Sequence, residues 1–146
     1  MNNRDAQIEV RPGFPDEIWS TLRPKFEAAK WLLPHWVNKV GFEYRAKQEY
    51  ICEIVVYREY REVWINVSDD WLTQTEEARQ HIIVHEIVHC LTVPLKSILS
   101  HLLEDLRIDE GVTRVINRQI NNTMETVTED FAIAISKKMS SLDKGK

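Results

Sequence analysis

Apolar and polar residues alternate along this chain with two different periods. Over residues 7–11 a brief alternation predicts a short strand, ended by Pro12-Gly13. Ile18, Leu22, Phe26, Ala29 and Leu33 then recur at helical spacing. They predict a helical stretch capped by Asp16 and interrupted at Pro24, with Trp31, Pro34 and Trp36 as a packed corner after it. From Val40 to Val67 the period drops to two. Residues 42–46, 50–57 and 62–67 are rich in β-branched and aromatic side chains, and the short polar gaps between them predict an antiparallel meander. In the last run Val63, Ile65 and Val67 fall on one face, with Trp64 and Asn66 on the other.

The second half of the chain is helical by pattern. Thr73-Gln-Thr-Glu76 has capping-box spacing, so a helix is expected from there to about Val93, where Pro94 stops it. Residues 95–119 predict helix in pieces, broken near Gly111, with their charges on a solvated face. A final helix is expected over 122–138, with Val127, Phe131, Ile135 and Met139 along one side and a frayed tail over 140–146. The expected fold is a single α+β domain over 1–146: a small antiparallel sheet packed on the 73–93 helix and on the C-terminal helix.

Composition narrows the partners. The 146 residues are 43% apolar and 29% charged, which is ordinary for a globular chain with its own core. A net charge of −4 without a basic block argues against nucleic acid or an anionic membrane as the main partner. No uninterrupted apolar run approaches a membrane span, and the first ten residues lack a signal-peptide core, so a cytoplasmic location is expected. Two cysteines, Cys52 and Cys90, make no disulfide framework and read as buried thiols.

The chemistry concentrates in His81-Ile-Ile-Val-His85-Glu86-Ile-Val-His89. Four residues of helix advance about 400°, so His85 and His89 stand one turn apart on nearly one face, with Glu86 beside them. Two imidazoles at that spacing can close on one small cation, and a carboxylate next to them can serve as a base toward water. Ile82, Ile83, Val84, Ile87, Val88 and Leu91 make the helix apolar around most of its circumference, and polar groups buried there need partners. His81 lies one turn earlier, but about 12 Å separates it from His89, too far for one ion to bridge from a straight helix. It is expected at the surface or behind a ligand.

A catalytic zinc site takes three protein ligands. Downstream, His101, Asp105, Asp109, Glu110, Glu125, Glu129 and Asp130 are candidates for the third. Glu125 and Glu129 are favoured, because they share one face of an apolar helix. One can bind the metal while the other holds a ligand His by its second ring nitrogen. Glu110 and Glu129 remain alternatives to Glu125 as ligand. Asn122-Thr-Met-Glu125 also has capping-box spacing, which would give Glu125 a purely structural task.

His-Glu-x-x-His followed by a helix bearing Glu-x-x-x-(Asp or Glu) resembles the gluzincins, the thermolysin-like zinc peptidases. Met124-Glu125-Thr-Val-Thr128-Glu129 is similar to their glutamate motif, with Met124 in place of Asn and Glu129 in place of Asp. The size and the order His81 to His85, Pro94-Leu95, Glu125 to Ala132 resemble the minigluzincins and small phage-type His-Glu-x-x-His proteins. The resemblance implies one zinc ion at His85, His89 and Glu125, Glu86 as the catalytic base, and Glu129 as support behind a ligand. It also implies an edge strand, Glu62–Val67, that would hold an extended peptide. No residue clearly matches the family's carbonyl-polarising side chain; His101 and Tyr57 are the candidates. The implied activity is hydrolysis of peptide bonds in a peptide or protein, as an endopeptidase ahead of an exopeptidase. The alternative is a latent zinc-binding relative with a regulatory or assembly role, such as a phage-type protein.

Overall fold

Strand Glu62–Val67 is buried along nearly its whole length, on both faces, and that places it inside a sheet rather than at its border. The computed structural model describes residues 6–143. The strands are β1 (Gln7–Val10), β2 (Lys39–Tyr44), β3 (Cys52–Tyr57) and β4 (Glu62–Val67), in the order β1-β2-β4-β3. β1 pairs with β2 and β2 with β4 in parallel; only β3 and β4 run antiparallel. The fold is α+β, but the expected meander is corrected. The seven residues between β2 and β3 carry the chain past one strand position, and β4 returns into the gap. The edge strand beside the helices is therefore β3, not Glu62–Val67.

One sheet face carries the core. Val40, Phe42, Val63, Ile65 and Val67 meet Ile18, Leu22 and Phe26 of α1 (Asp16–Ala29), whose first turn follows Pro15 rather than a capping Asp16. Pro24 sits within α1, and a tighter turn at Lys30–Leu32 ends it. Trp31 is exposed, so the corner packs through Leu33 and Trp36 instead. On the opposite sheet face Gly41 leaves the room that the Trp64 ring fills, and Arg11 stacks over that ring at 4.4 Å.

Helix α2 (Glu76–Asp105) follows a single turn at Asp69–Trp71. Its cap is Thr75, two residues later than the pattern suggested, accepting from the Ala78 N–H at 3.2 Å. Pro94 does not stop it. The ring removes one backbone donor, yet α2 continues for eleven more residues because α3 packs alongside. At 30 residues and with a mean hydropathy of 1.5 over its most apolar stretch, α2 is also long and apolar enough to cross a bilayer, which no uninterrupted run suggested. Its first half helps close the core against α1, β3 and α3.

Helix α3 (Glu110–Asp143) is continuous, replacing the two expected pieces. The break falls at 106–109, where Arg107 takes φ 49° and Asp109 Oδ1 accepts from the N–H groups of Gly111 and Val112. Gly111 is thus inside the first turn, and Asn122 lies mid-helix, so Glu125 caps nothing. The inward face of α3 is Thr128, Ala132, Ile135 and Met139; Phe131 is 57% exposed. Residues 140–143 remain helical, and 144–146 of the tail expected to fray lie outside the described residues.

Arg79 fixes where α2 begins. Its guanidinium donates to the Trp71 carbonyl at 3.1 Å and the Leu72 carbonyl at 2.9 Å, and pairs with Glu76 at 2.8 Å. Arg79→Ala strips two carbonyls of a charged donor in a mostly buried place. It should cost about 2–4 kcal/mol, read as a lower denaturation midpoint with an unchanged slope.

Candidate metal centre

His85 and His89 project from α2 with their ring Nε2 atoms 3.1 Å apart. Glu125, from the middle of α3, brings Oε2 to 3.7 Å from His85 Nε2 and Oε1 to 3.6 Å from His89 Nε2. Ligands at about 2.0–2.1 Å on a tetrahedral ion stand about 3.3 Å from one another, so the three donors are spaced as such an ion requires. Across the same helix pair a buried pair of hydroxyls, Thr92 Oγ1 and Thr128 Oγ1, meets at 3.0 Å.

Glu129, one turn beyond Glu125, reaches the other side of His85. Its Oε2 lies 2.8 Å from His85 Nδ1, and both its oxygens lie near His81 Nε2, at 3.1 and 3.2 Å. Burial pushes the Glu129 carboxyl up, but the hydrogen bond and charge of His85, with those of His81, outweigh it and hold the group below its usual value. An ionised Glu129 can only accept, so the 2.8 Å contact is donated by His85 Nδ1–H, and the ring turns its Nε2 toward His89 and Glu125. Burial holds His89 below its ordinary value despite the nearby Glu125 carboxylate, which favours its neutral ring. His81, His85 and Glu129 form a second close group, but it meets His85 only through Nδ1. In that group both Glu129 oxygens are engaged by the two rings, which places Glu129 as a brace between His81 and His85.

Glu86 leaves α2 toward the sheet. Its Oε2 accepts the Ile54 N–H of edge strand β3 at 2.8 Å. Burial, only partly offset by that bond and reinforced by the carboxylates of Glu125 and Glu53, raises Glu86 to about 8. Between β3, α2 and α3 lies an open cleft of about 650 Å³, with His85, Glu86, His89 and Glu125 in its wall.

Of the other residues singled out in the sequence, Glu110 is fifteen positions from Glu125 on the same helix, about 22 Å away. Asp105 and Asp109 flank the hairpin turn and His101 is exposed on the outer part of α2, so none of them joins the cluster. Asp130 borders a shallow depression beside Glu129 without entering the ligand trio. Tyr57 faces the Trp64 side of the sheet. In place of His101 and Tyr57, the cleft wall holds Tyr50, Lys96 and Asn121. Lys96 was legible in principle, since seven residues after His89 is two turns of helix and the same face. The Ile54 amide carries no sequence signal at all. Comparison with family models, with curated proteins and with solved structures found no match.

The Glu86 carboxyl makes the metal-free protein pH-sensitive. Its proton is held more tightly folded than unfolded, so the stability this group contributes is fully present below about 4.5 and is lost as pH rises toward about 8. Glu86→Gln carries no such proton. After chelation it should gain on the parent by roughly 2–4 kcal/mol at pH 8 and by almost nothing at pH 4.5, measured by denaturation at both values. Equal differences at the two pH values would contradict a raised carboxyl.

Proposed function

We propose that this protein is a zinc-dependent peptidase of gluzincin type, with His85, His89 and Glu125 holding one ion and Glu86 as the base. The observation that carries the reading is the convergence of two imidazoles and a carboxylate from separate helices beside a buried glutamate at an open sheet edge. Zinc supplies a Lewis acid for a scissile carbonyl and brings the pKa of a water it binds to about 7. Glu86 takes a proton from the attacking water and passes it to the leaving amine, and a nearby cation favours the ionised carboxylate this requires. Glu129 keeps His85 in the Nδ1–H form through the cycle. An extended peptide lies along β3 by main-chain hydrogen bonds, as strand addition does elsewhere. The substrate is a peptide or protein, and the protein works in the cytoplasm.

A latent relative is the second reading, and one observation favours it. The Ile54 N–H, a donor on the strand edge that a peptide would use, is already taken by Glu86.

Two measurements test the proposal. Zinc should bind one ion per chain, and Glu125→Ala should weaken it far more than Glu110→Ala; Glu129→Ala should cost about 10–100-fold in affinity through loss of the His85 brace. Cleavage of an unfolded protein should be blocked by a chelator and restored by zinc, while Glu86→Gln retains the metal and loses turnover. Zinc binding without any cleavage would leave the latent reading; no zinc binding would end both.

A further inference from the structure

The apolar stripe that buries the first half of α2 does not end where the domain does. Val84, Ile87 and Val88 are 0–1% exposed in the core. At about 100° per residue, Leu91, Leu95, Ile98, Leu102 and Leu106 continue the same sector within an arc of about 80°. These five are 55%, 49%, 50%, 52% and 67% exposed. Thr92, whose hydroxyl meets Thr128, marks the sector that faces α3, and the half-buried Leu99 and Leu103 lie on that side. The leucine stripe is centred about 80° round the helix from Thr92 and stays about half exposed. Its gaps of four, three, four and four residues follow the spacing of a seam between paired helices as far as Leu102, and Leu106 extends it by one further turn.

The seam is also close to palindromic. Leu91 and Leu106 lie about equally far from Ile98, as do Leu95 and Leu102. Two antiparallel copies related by a twofold axis near Ile98 would set Leu91 on Leu106 and Leu95 on Leu102, each contact made twice. That is the self-complementarity an isologous interface needs. Roughly 500 Å² of apolar surface per copy is on offer, so two copies reach about 1,000 Å², the lower bound for a specific interface. We infer that the outer part of α2 is a dimer interface, on which a second copy of this chain packs antiparallel to form a four-helix arrangement with both α2–α3 hairpins.

The full chain is tested by light scattering and sedimentation velocity at tens of micromolar. The expected mass is twice that of the 17.2 kDa chain. The double variant Leu95→Glu/Leu102→Glu should fall to the single-chain mass while keeping the parent's circular dichroism. Orientation is read by oxidative cross-linking, for which the native Cys52 and Cys90 are buried and silent. Leu91→Cys should join Leu106→Cys in a mixture and not join itself, and Ile98→Cys should join itself. A monomeric parent, a dimer that survives the double variant, or Leu91→Cys joining itself would each overturn the proposal. So would a chain that stays monomeric alone and co-sediments with phosphatidylcholine–phosphatidylglycerol vesicles, which would make the stripe a membrane-facing one.

Discussion

The register of α3 along α2 is the constraint on which the candidate centre depends. Two imidazoles one turn apart offer only two donors, and nothing on α2 can supply the third. Thr92 and Thr128 meet as a buried hydroxyl pair, which would be costly to separate without water to replace the bond. With that pair in place, Glu125 lies opposite the Nε2 atoms and Glu129 lies opposite His85 Nδ1. A slip of α3 by one residue would rotate both carboxylates by about 100° and empty the centre of them. The site therefore belongs to the helix pair, not to the helix that carries the motif.

The sheet contributes through one strand edge. Because β4 inserts between β2 and β3, the strand left beside α2 is β3, and its outward amide at Ile54 meets Glu86. Glu86 is in this way held between a low-polarity environment that favours its neutral form and a donor that favours its charge. Arg79 completes the support by tying the first turn of α2 to the carbonyls of Trp71 and Leu72.

Much of this was legible along the chain because it is local. The strand face of Val63, Ile65 and Val67, the spacing of His85, Glu86 and His89, and the shared face of Glu125 and Glu129 follow from the 2.0 and 3.6 periods alone. The errors have physical causes of the same kind. Pro94 was expected to end a helix, but its lost hydrogen bond is small beside the packing of a neighbouring helix. Phe131 was expected along one side of the last helix with Ile135 and Met139; those two pack on the core, but Phe131 is exposed, and Thr128 and Ala132, whose small side chains let α3 approach closely, lie on the buried face. Strand order was unreadable because gap length does not distinguish a hairpin from a step across one neighbour.

The sequence by itself determined which side chains can share a face, and hence that two histidines and a glutamate stand together on one helix and two carboxylates on another. Tertiary structure alone decided which carboxylate meets Nε2 and which meets Nδ1, which backbone amide holds Glu86, and which strand borders the cleft. Periodicity is a property of a few consecutive bonds, whereas register and strand order are set by contacts between residues dozens of positions apart, and no local pattern encodes them.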